Sequence, residues 1–360
     1  MFIVSPKWIY LENKKVERNK SILVDGTLII DILSNDIIDK KYKNVSRLYY
    51  DNHIMIPSFC ECYLNVDDCE NENQYNEKIS RILSNGVTRI QVVSQDYKKV
   101  LEYNYNNLII NHMISLDAKN CTQSHIRDML STLDFYKSDI SKTFSLNLHN
   151  ILDFDDELLQ KISSIANELN LNIHIHLNDI SNLEEEEVKE IYSYWDDINL
   201  LNNCSLHDVL TNNCKNLKYF NKKNIVIMIE YHELNTSEYI QNFILLSKKK
   251  YKCVLVSNKE QSYKFYNILK VMEYYTNQLN DKFDSTNIIA CVTSNAHRIF
   301  TDDSYSYSIR KGSLSSFNLY NCNSNNFLST YDVIPRISCL DNTSLGDVWS
   351  SGQKLKEFDE

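Results

Sequence analysis

The sequence predicts an α/β fold: a (β/α)8 TIM-like barrel carrying a small composite β-sandwich made from both ends of the chain. Three observations predict it. Between residues 54 and 304, apolar strand-like runs alternate with helix-like segments over short connections, the pattern of βα units on a parallel sheet. The runs number eight, which closes a barrel. Residues 1–53 and 305–360 instead read as short strands and turns, two β-rich ends that flank the α/β middle and pair with one another. A chain of 360 residues with 43% hydrophobic content can bury one large core of this kind.

In chain order, the N-terminal part gives FIVSPKWIYL, then SILVDGTLIIDIL with an Asp-Gly turn signal inside it, then SRLYY after a polar connection. The eight barrel candidates are Ile54–Phe59, Thr88–Val93, Leu108–Ser115, Thr143–Leu148, Asn172–Leu177, Ile198–Asn202, Ile225–Glu230 and Lys252–Ser257. Patterns such as ELLQKISSIANEL and EEEEVKEIYSYW supply the helices between them. The C-terminal part gives YSIRKGSLSSFNLYNC, DVIPRISCL and DVWSSGQKL as further strands. A doubly wound open sheet is the competing architecture, but no Gly-rich phosphate loop follows any of these strands.

Charge and cysteine usage narrow the function classes. A net charge of -10 argues against a nucleic-acid partner, since phosphate binding is dominated by clustered Lys and Arg, and Lys248, Lys249 and Lys250 read as a solvated helix end. The N-terminal apolar run is too short for a secretion signal and no stretch reaches the length of a bilayer span, so the expectation is a cytoplasmic protein with no membrane partner. Ten cysteines lie scattered without a disulfide framework or a CxxC pair, which suits a reducing compartment.

Gly is scarce, and the five that remain, Gly26, Gly86, Gly312, Gly346 and Gly352, mark turns or close approaches. They sit in VDGTLI, SNGVTRI, RKGSL and SLGDVWSSG. Ahead of them in importance is IMIPSFCECYLNV at 54–66, an apolar strand that passes into a small-residue segment. Together, in order and over nearly the whole chain, these segments resemble the amidohydrolase superfamily in its cytosine deaminase, adenosylhomocysteine deaminase and chlorohydrolase branch. The resemblance implies a metal-bearing barrel inserted between the two halves of a sandwich, with chemistry at the C-terminal strand ends.

In that family two His follow strand one, one His follows strand five, one follows strand six and an Asp follows strand eight. The positions that match here are Tyr63 and Asn65, His176, Asn203 and Asn258, so a single ligand type is kept. Asn offers a neutral amide oxygen and Tyr an oxygen protonated near neutral pH, whereas a catalytic zinc needs about three N, O or S donors and an open position. Asp179, three residues after His176, matches the carboxylate that shuttles a proton in the deaminases. The expectation is therefore a non-catalytic relative with no cofactor that either binds a small molecule or pairs with an active homologue, as a homodimer or a heteromer. Its mouth would be a polar cleft lined by Tyr63, Asn65, His176, Asp179, Asn203 and Asn258.

The alternative is a metal-dependent hydrolase or deaminase acting on C–N bonds of a purine-like or cyclic amidine substrate, with zinc or iron in a rewired site. Cys60, Cys62 and Cys204 with His176 are its candidate ligands, thiolate and imidazole being good zinc donors. Other clusters have plainer readings. The Glu184–Glu187 run reads as a helix start meeting the macrodipole, and Cys121 with His125, and Cys204 with Ser205 and His207, read as core and surface residues without a third orienting partner.

Overall fold

The computed structural model describes residues 1–12, 15–103, 108–119, 121–139, 142–180, 182–210, 218, 225–230, 237–256, 285–300, 308–322 and 345–356. Two sheets organise them. The first joins both ends of the chain: β1 (Phe2–Tyr10), β2 (Val16–Arg18), β3 (Lys20–Asp25), β4 (Leu28–Ser34) and β5 (Arg47–Pro57) from the N-terminal part. To these the C-terminal part adds β14 (Phe317–Asn321), β15 (Leu345–Ser350) and β16 (Gln353–Lys356), in the order β16-β15-β14-β5-β1-β3-β4 with β2 paired to β1. Phe2 and Trp349 lie on strands separated by β5 and β14, yet their rings are 5.1 Å apart, so the sheet curls over its own apolar face. That face encloses Val4, Ile22, Val24, Met55, Phe317 and Leu319. The predicted strand DVIPRISCL lies outside the described residues.

The second sheet is the barrel. Its strands are β6 (Phe59–Asn65), β7 (Val87–Ser94), β8 (Ile109–Asp117), β9 (Lys142–His149), β10 (Asn172–His176), β11 (Cys204–His207), β12 (Val226–Glu230) and β13 (Lys252–Val256). All seven neighbouring pairs run parallel in sequence order, and β13 returns to lie beside β6, so the ring is nearly closed. Helix α1 (Asn35–Lys41) follows β4, and between the barrel strands run α2 (Glu72–Leu83), α3 (Tyr97–Glu102), α4 (Gln123–Tyr136), α5 (Asp156–Glu168), α6 (Glu185–Asp197) and α7 (Ser237–Lys248). Their starts are local chemistry. Asn71, Thr122 and Asp155 cap α2, α4 and α5 by accepting from the third residue on, and Glu184 N donates to Glu187 Oε2 at 3.0 Å, so the acidic run opens α6 as its sequence implies.

Two strand assignments shift. Ile54–Pro57 finishes β5 in the terminal sheet, and the barrel starts only at Phe59, because Ile54, Met55 and Ile56 pair with β14. Ile198–Asn202 is a turn after α6 and not a strand; Leu200 and Leu201 are buried there as anchors, and the sixth strand is the shorter CSLH that follows. An apolar run identifies burial, and burial alone does not separate a buried turn from a strand.

Gly86 ties the two sheets together. It has φ of +83° at the turn into β7, and its carbonyl accepts from Asn318 Nδ2 on β14 at 2.8 Å. A Cβ there would run into the buried Asn318 amide. Gly86→Ala therefore combines a left-handed backbone that costs about 1–2 kcal/mol without Gly with displacement of that bond, and urea denaturation will show a loss of about 2 kcal/mol or more. A stability within about 0.5 kcal/mol of wild type would contradict this coupling.

Candidate functional site

Because every barrel strand runs the same way, Asn65, Asp117, His149, His176, His207 and Glu230 all end strands at one mouth. Side chains alternate along a strand, so Asn172, His174 and His176 on β10, and Ser205 and His207 on β11, share the inner face. There they meet side chains from neighbouring strands. His176 Nε2 lies 3.0 Å from Asn147 Oδ1 and its Nδ1 lies 3.2 Å from Asp208 Oδ2. His174 Nδ1 lies 3.0 Å from His207 Nε2, and His207 Nδ1 is 4.0 Å from Glu230 Oε1. The rings stack as well: His149 on His176 at 4.7 Å and His176 on His207 at 4.3 Å between centroids. Tyr63 closes the group edge-on, 5.1 Å from His207 and 6.2 Å from His176.

Burial sets the protonation of several of these groups. The Tyr63 hydroxyl is held well above its ordinary range, chiefly by loss of solvent and then by the nearby Glu230 charge, so it stays protonated. His174 is fully buried, and burial followed by the charge of His176 pushes it down to about 3, so it is neutral. Beside the imidazoles a cavity of about 770 Å³ opens over β6 to β9, lined among others by Tyr63, Asn65, Asp67, Asp117, Cys121 and His149.

The structure thus brings together Tyr63, Asn65 and His176, the first two in the cavity wall and the third against the Tyr63 ring. Asp179 belongs to the short 3₁₀ turn Asn178–Ile180 just beyond His176, and its side chain lies outside the described residues, as does Asn258. Asn203 is a correction. It sits at the opposite end of the barrel, where its carbonyl accepts from Ile173 N at 3.0 Å and its Oδ1 accepts from Asn172 Nδ2 at 3.3 Å. The residue at the mouth of the sixth strand is His207, four places on, which sequence reasoning set aside. Once the strand is CSLH and not INLLN, His207 closes it beside His176, with ring centroids 4.3 Å apart. His149, Asp208 and Glu230 were also missed. The signal available for them was a polar or acidic residue closing an apolar strand run.

A metal ion such as zinc needs about three converging N, O or S donors. In this structure His176 Nδ1 lies against the Asp208 carboxylate and its Nε2 against Asn147 Oδ1, while His207 Nε2 lies against His174 Nδ1. Among the described residues no three His, Cys, Asp or Glu side chains are grouped to hold one. The thiols do not replace them. Cys204 precedes an inward Ser205 and so packs outward among apolar side chains, while Cys60 and Cys62 lie in the apolar part of the barrel interior with Val226, Met228 and Val254. Burial pushes the Cys60 thiol up to about 12 and raises those of Cys62 and Cys204 as well, away from the thiolate a metal needs.

The sequence matches no protein-family model and no curated relative. The fold does match solved structures. An aminofutalosine deaminase from Helicobacter pylori in complex with methylthio-coformycin aligns with a TM-score of 0.81 at 10% identity, covering 99% of this chain and 100% of that one. An adenosine deaminase from Xanthomonas campestris with bound zinc gives 0.78 at 9%, covering 98% and 92%. A guanine deaminase from C. acetobutylicum with guanine in its active site gives 0.77 at 15%, covering 98% and 99%. At such identities the likeness establishes the fold: this chain has the barrel and terminal sheet of the deaminases that its motifs resemble.

The buried imidazoles make stability pH-dependent. His112, a residue of β8, is likewise pushed down to about 3 by burial first and the Lys142 charge second, against an ordinary 6.5. Folded His112 and His174 bind no proton where the unfolded chain does, so their contribution is complete above 6.5 and is lost as pH falls from there toward 3. Each contributes a slope of up to about 1.4 kcal/mol per pH unit in that window. His112→Phe will flatten the fall in unfolding free energy between neutral and acid buffer by about one such slope; an unchanged slope would place His112 in solvent.

Proposed function

We propose that the mouth of this barrel binds a small nitrogen-containing heterocycle, of purine-like or cyclic amidine type, without the metal chemistry of the deaminases whose fold it has. The observation that carries this reading is His176. At the position where the family holds its ion, both of its nitrogens are engaged by Asn147 and Asp208. The strand-one positions agree, since Tyr63 and Asn65 bring a protonated phenol and an amide where two imidazoles would be needed. What remains suits recognition. The Tyr63, His149, His176 and His207 rings form an aromatic wall, and the adjoining cavity of about 770 Å³ is large enough for a nucleobase with a substituent.

A second reading, a metal-dependent hydrolase acting on C–N bonds, is the one the solved neighbours favour, because one of them carries zinc and two hold a nucleobase or a coformycin. The imidazoles of His176 and His207 at strands five and six are its support in this chain. Elemental analysis of protein purified without chelator separates the two. The first reading expects substoichiometric zinc and iron and an unchanged melting temperature in chelator; one metal per chain, lost on His176→Ala, would establish the second.

Ligand binding is read by calorimetry with guanine, adenosine and cytosine. Tyr63→Ala should weaken any binder by about ten-fold, the loss expected for one aromatic contact of about 1.4 kcal/mol. An undiminished affinity would move the ligand away from this wall. The same reading has the chain paired with itself or with an active homologue, and light scattering at micromolar concentration that gives a monomer, with no homologue co-purifying, would remove that part.

A further inference from the structure

Strand β6 does not keep one phase along its length. Its pairing with β7 sets Cys60 opposite Arg89 and Glu61 opposite Ile90, but then Leu64 opposite Val92 and Asn65 opposite Val93. Cys62 and Tyr63 therefore share the single partner position of Gln91. This is a β-bulge, an extra residue on one strand of a pair, and it is rare between parallel strands. The packing layers record its effect. Before the bulge Phe59 lies in the outer core while Cys60 and Cys62 lie in the barrel interior, the alternation of a regular strand. Past it Leu64 and Val66 are the outer residues, so the phase has moved by one and Tyr63 joins Cys62 inside. Asn65 follows into the cavity wall.

A regular strand continuing from Glu61 opposite Ile90 would bring Tyr63 to Val92, an outer-layer residue, and Leu64 to Val93, an inner one. Tyr63 and Asn65 would then face away from the mouth. The approach of the Tyr63 ring to His207 and His176, at 5.1 and 6.2 Å between centroids, exists only in the bulged register. A bulge takes backbone groups out of the ladder, and one of them is answered here from two residues back: the Tyr63 N–H donates to Glu61 Oε1 at 3.2 Å. The direction of this bond is fixed, because a backbone N–H can only donate and a carboxyl oxygen accepts. Glu61 is itself only 3% exposed, so its carboxyl group is committed to the interior of the fold.

We propose that Glu61 is a positioning residue: by accepting from the Tyr63 N–H it holds β6 in the bulged register, and that register turns Tyr63 and Asn65 into the mouth of the barrel. It acts through the backbone and is not among the residues that line the cavity. The inference stands whichever ligand the mouth takes, since it concerns how the wall is built. One corollary follows from the register. Deleting Cys62 removes the extra residue, which sets Tyr63 itself opposite Gln91 while Leu64 and Asn65 keep Val92 and Val93 as partners. The inward set is then retained by a regular strand, and the acceptor at Glu61 has no bulge to hold.

The test is fluorine NMR of full-length protein carrying fluorotyrosine at position 63 only, whose line reports the ring-current field of the neighbouring imidazoles. Glu61→Leu removes the acceptor and is expected to move or split the line. Glu61→Gln keeps an oxygen acceptor and is expected to leave it in place. Deletion of Cys62 is expected to keep the line close to its wild-type position, and Glu61→Leu added to the deletion to move it no further. A line that Glu61→Leu leaves unchanged overturns the proposal, as does one that Glu61→Gln moves as far as Glu61→Leu. An equal displacement by Glu61→Leu with and without Cys62 also overturns it, because a side chain that only fills space would act alike in both backgrounds. Should Glu61→Leu alone fail to fold, the deletion background decides: a folded double variant with its line in place supports the proposal, and one that also fails to fold overturns it. Since no ligand or metal enters these measurements, failure of the proposed binding function leaves their outcome untouched.

Discussion

An eight-stranded parallel ring shuts its inward side chains away from water, so a polar group placed there must be answered by one from another strand. This constraint shapes the middle of the molecule. On one side of the interior, β6, β12 and β13 supply Cys60, Cys62, Val226, Met228, Val254 and Val256, which pack without polar demands. On the other, β7 to β11 supply Gln91, Asn111, Ser145, Asn147, His174 and His207, joined strand to strand at hydrogen-bonding distance. The division explains why β10 reads as NIHIH: alternate residues go to an apolar outer layer and a polar inner one.

The same constraint governs the strand ends at the mouth. Imidazoles at strand ends cannot be left facing nothing, and here Asn147 and Asp208 answer His176 while His174 answers His207. Tyr63 fills the space beside them as an edge-on ring with its hydroxyl held protonated by burial. The mouth is therefore a packed aromatic and hydrogen-bonded wall next to an open cavity.

Reading the chain residue by residue goes far where a signal is local. The helix starts at Asn71, Thr122, Asp155 and Glu184 are capping chemistry within four residues, and the strands around Thr88, Asn172 and Ile225 are long enough runs to stand out. It fails where two structures share one pattern. INLLNN and CSLH are both short and apolar in part, and the choice between them depends on whether the chain has room to pair with β10, which is a property of the sheet. Choosing the first placed Asn203 at the mouth and left His207 out of it.

Composition and periodicity, then, were enough for an α/β barrel between two β-rich ends and for the acidic start of α6, because hydrophobic period and helix-start chemistry are written within a few residues of one another, while Tyr63, Asn65 and His176 were grouped by resemblance of their segments to a known family. Tertiary structure decided the rest. Which end of the sixth strand faces the mouth, which way each thiol points, and which partner each imidazole nitrogen has are set by strand register across the ring. Register moves every side chain by a whole face when it slips by one residue, and it depends on contacts between segments tens of residues apart.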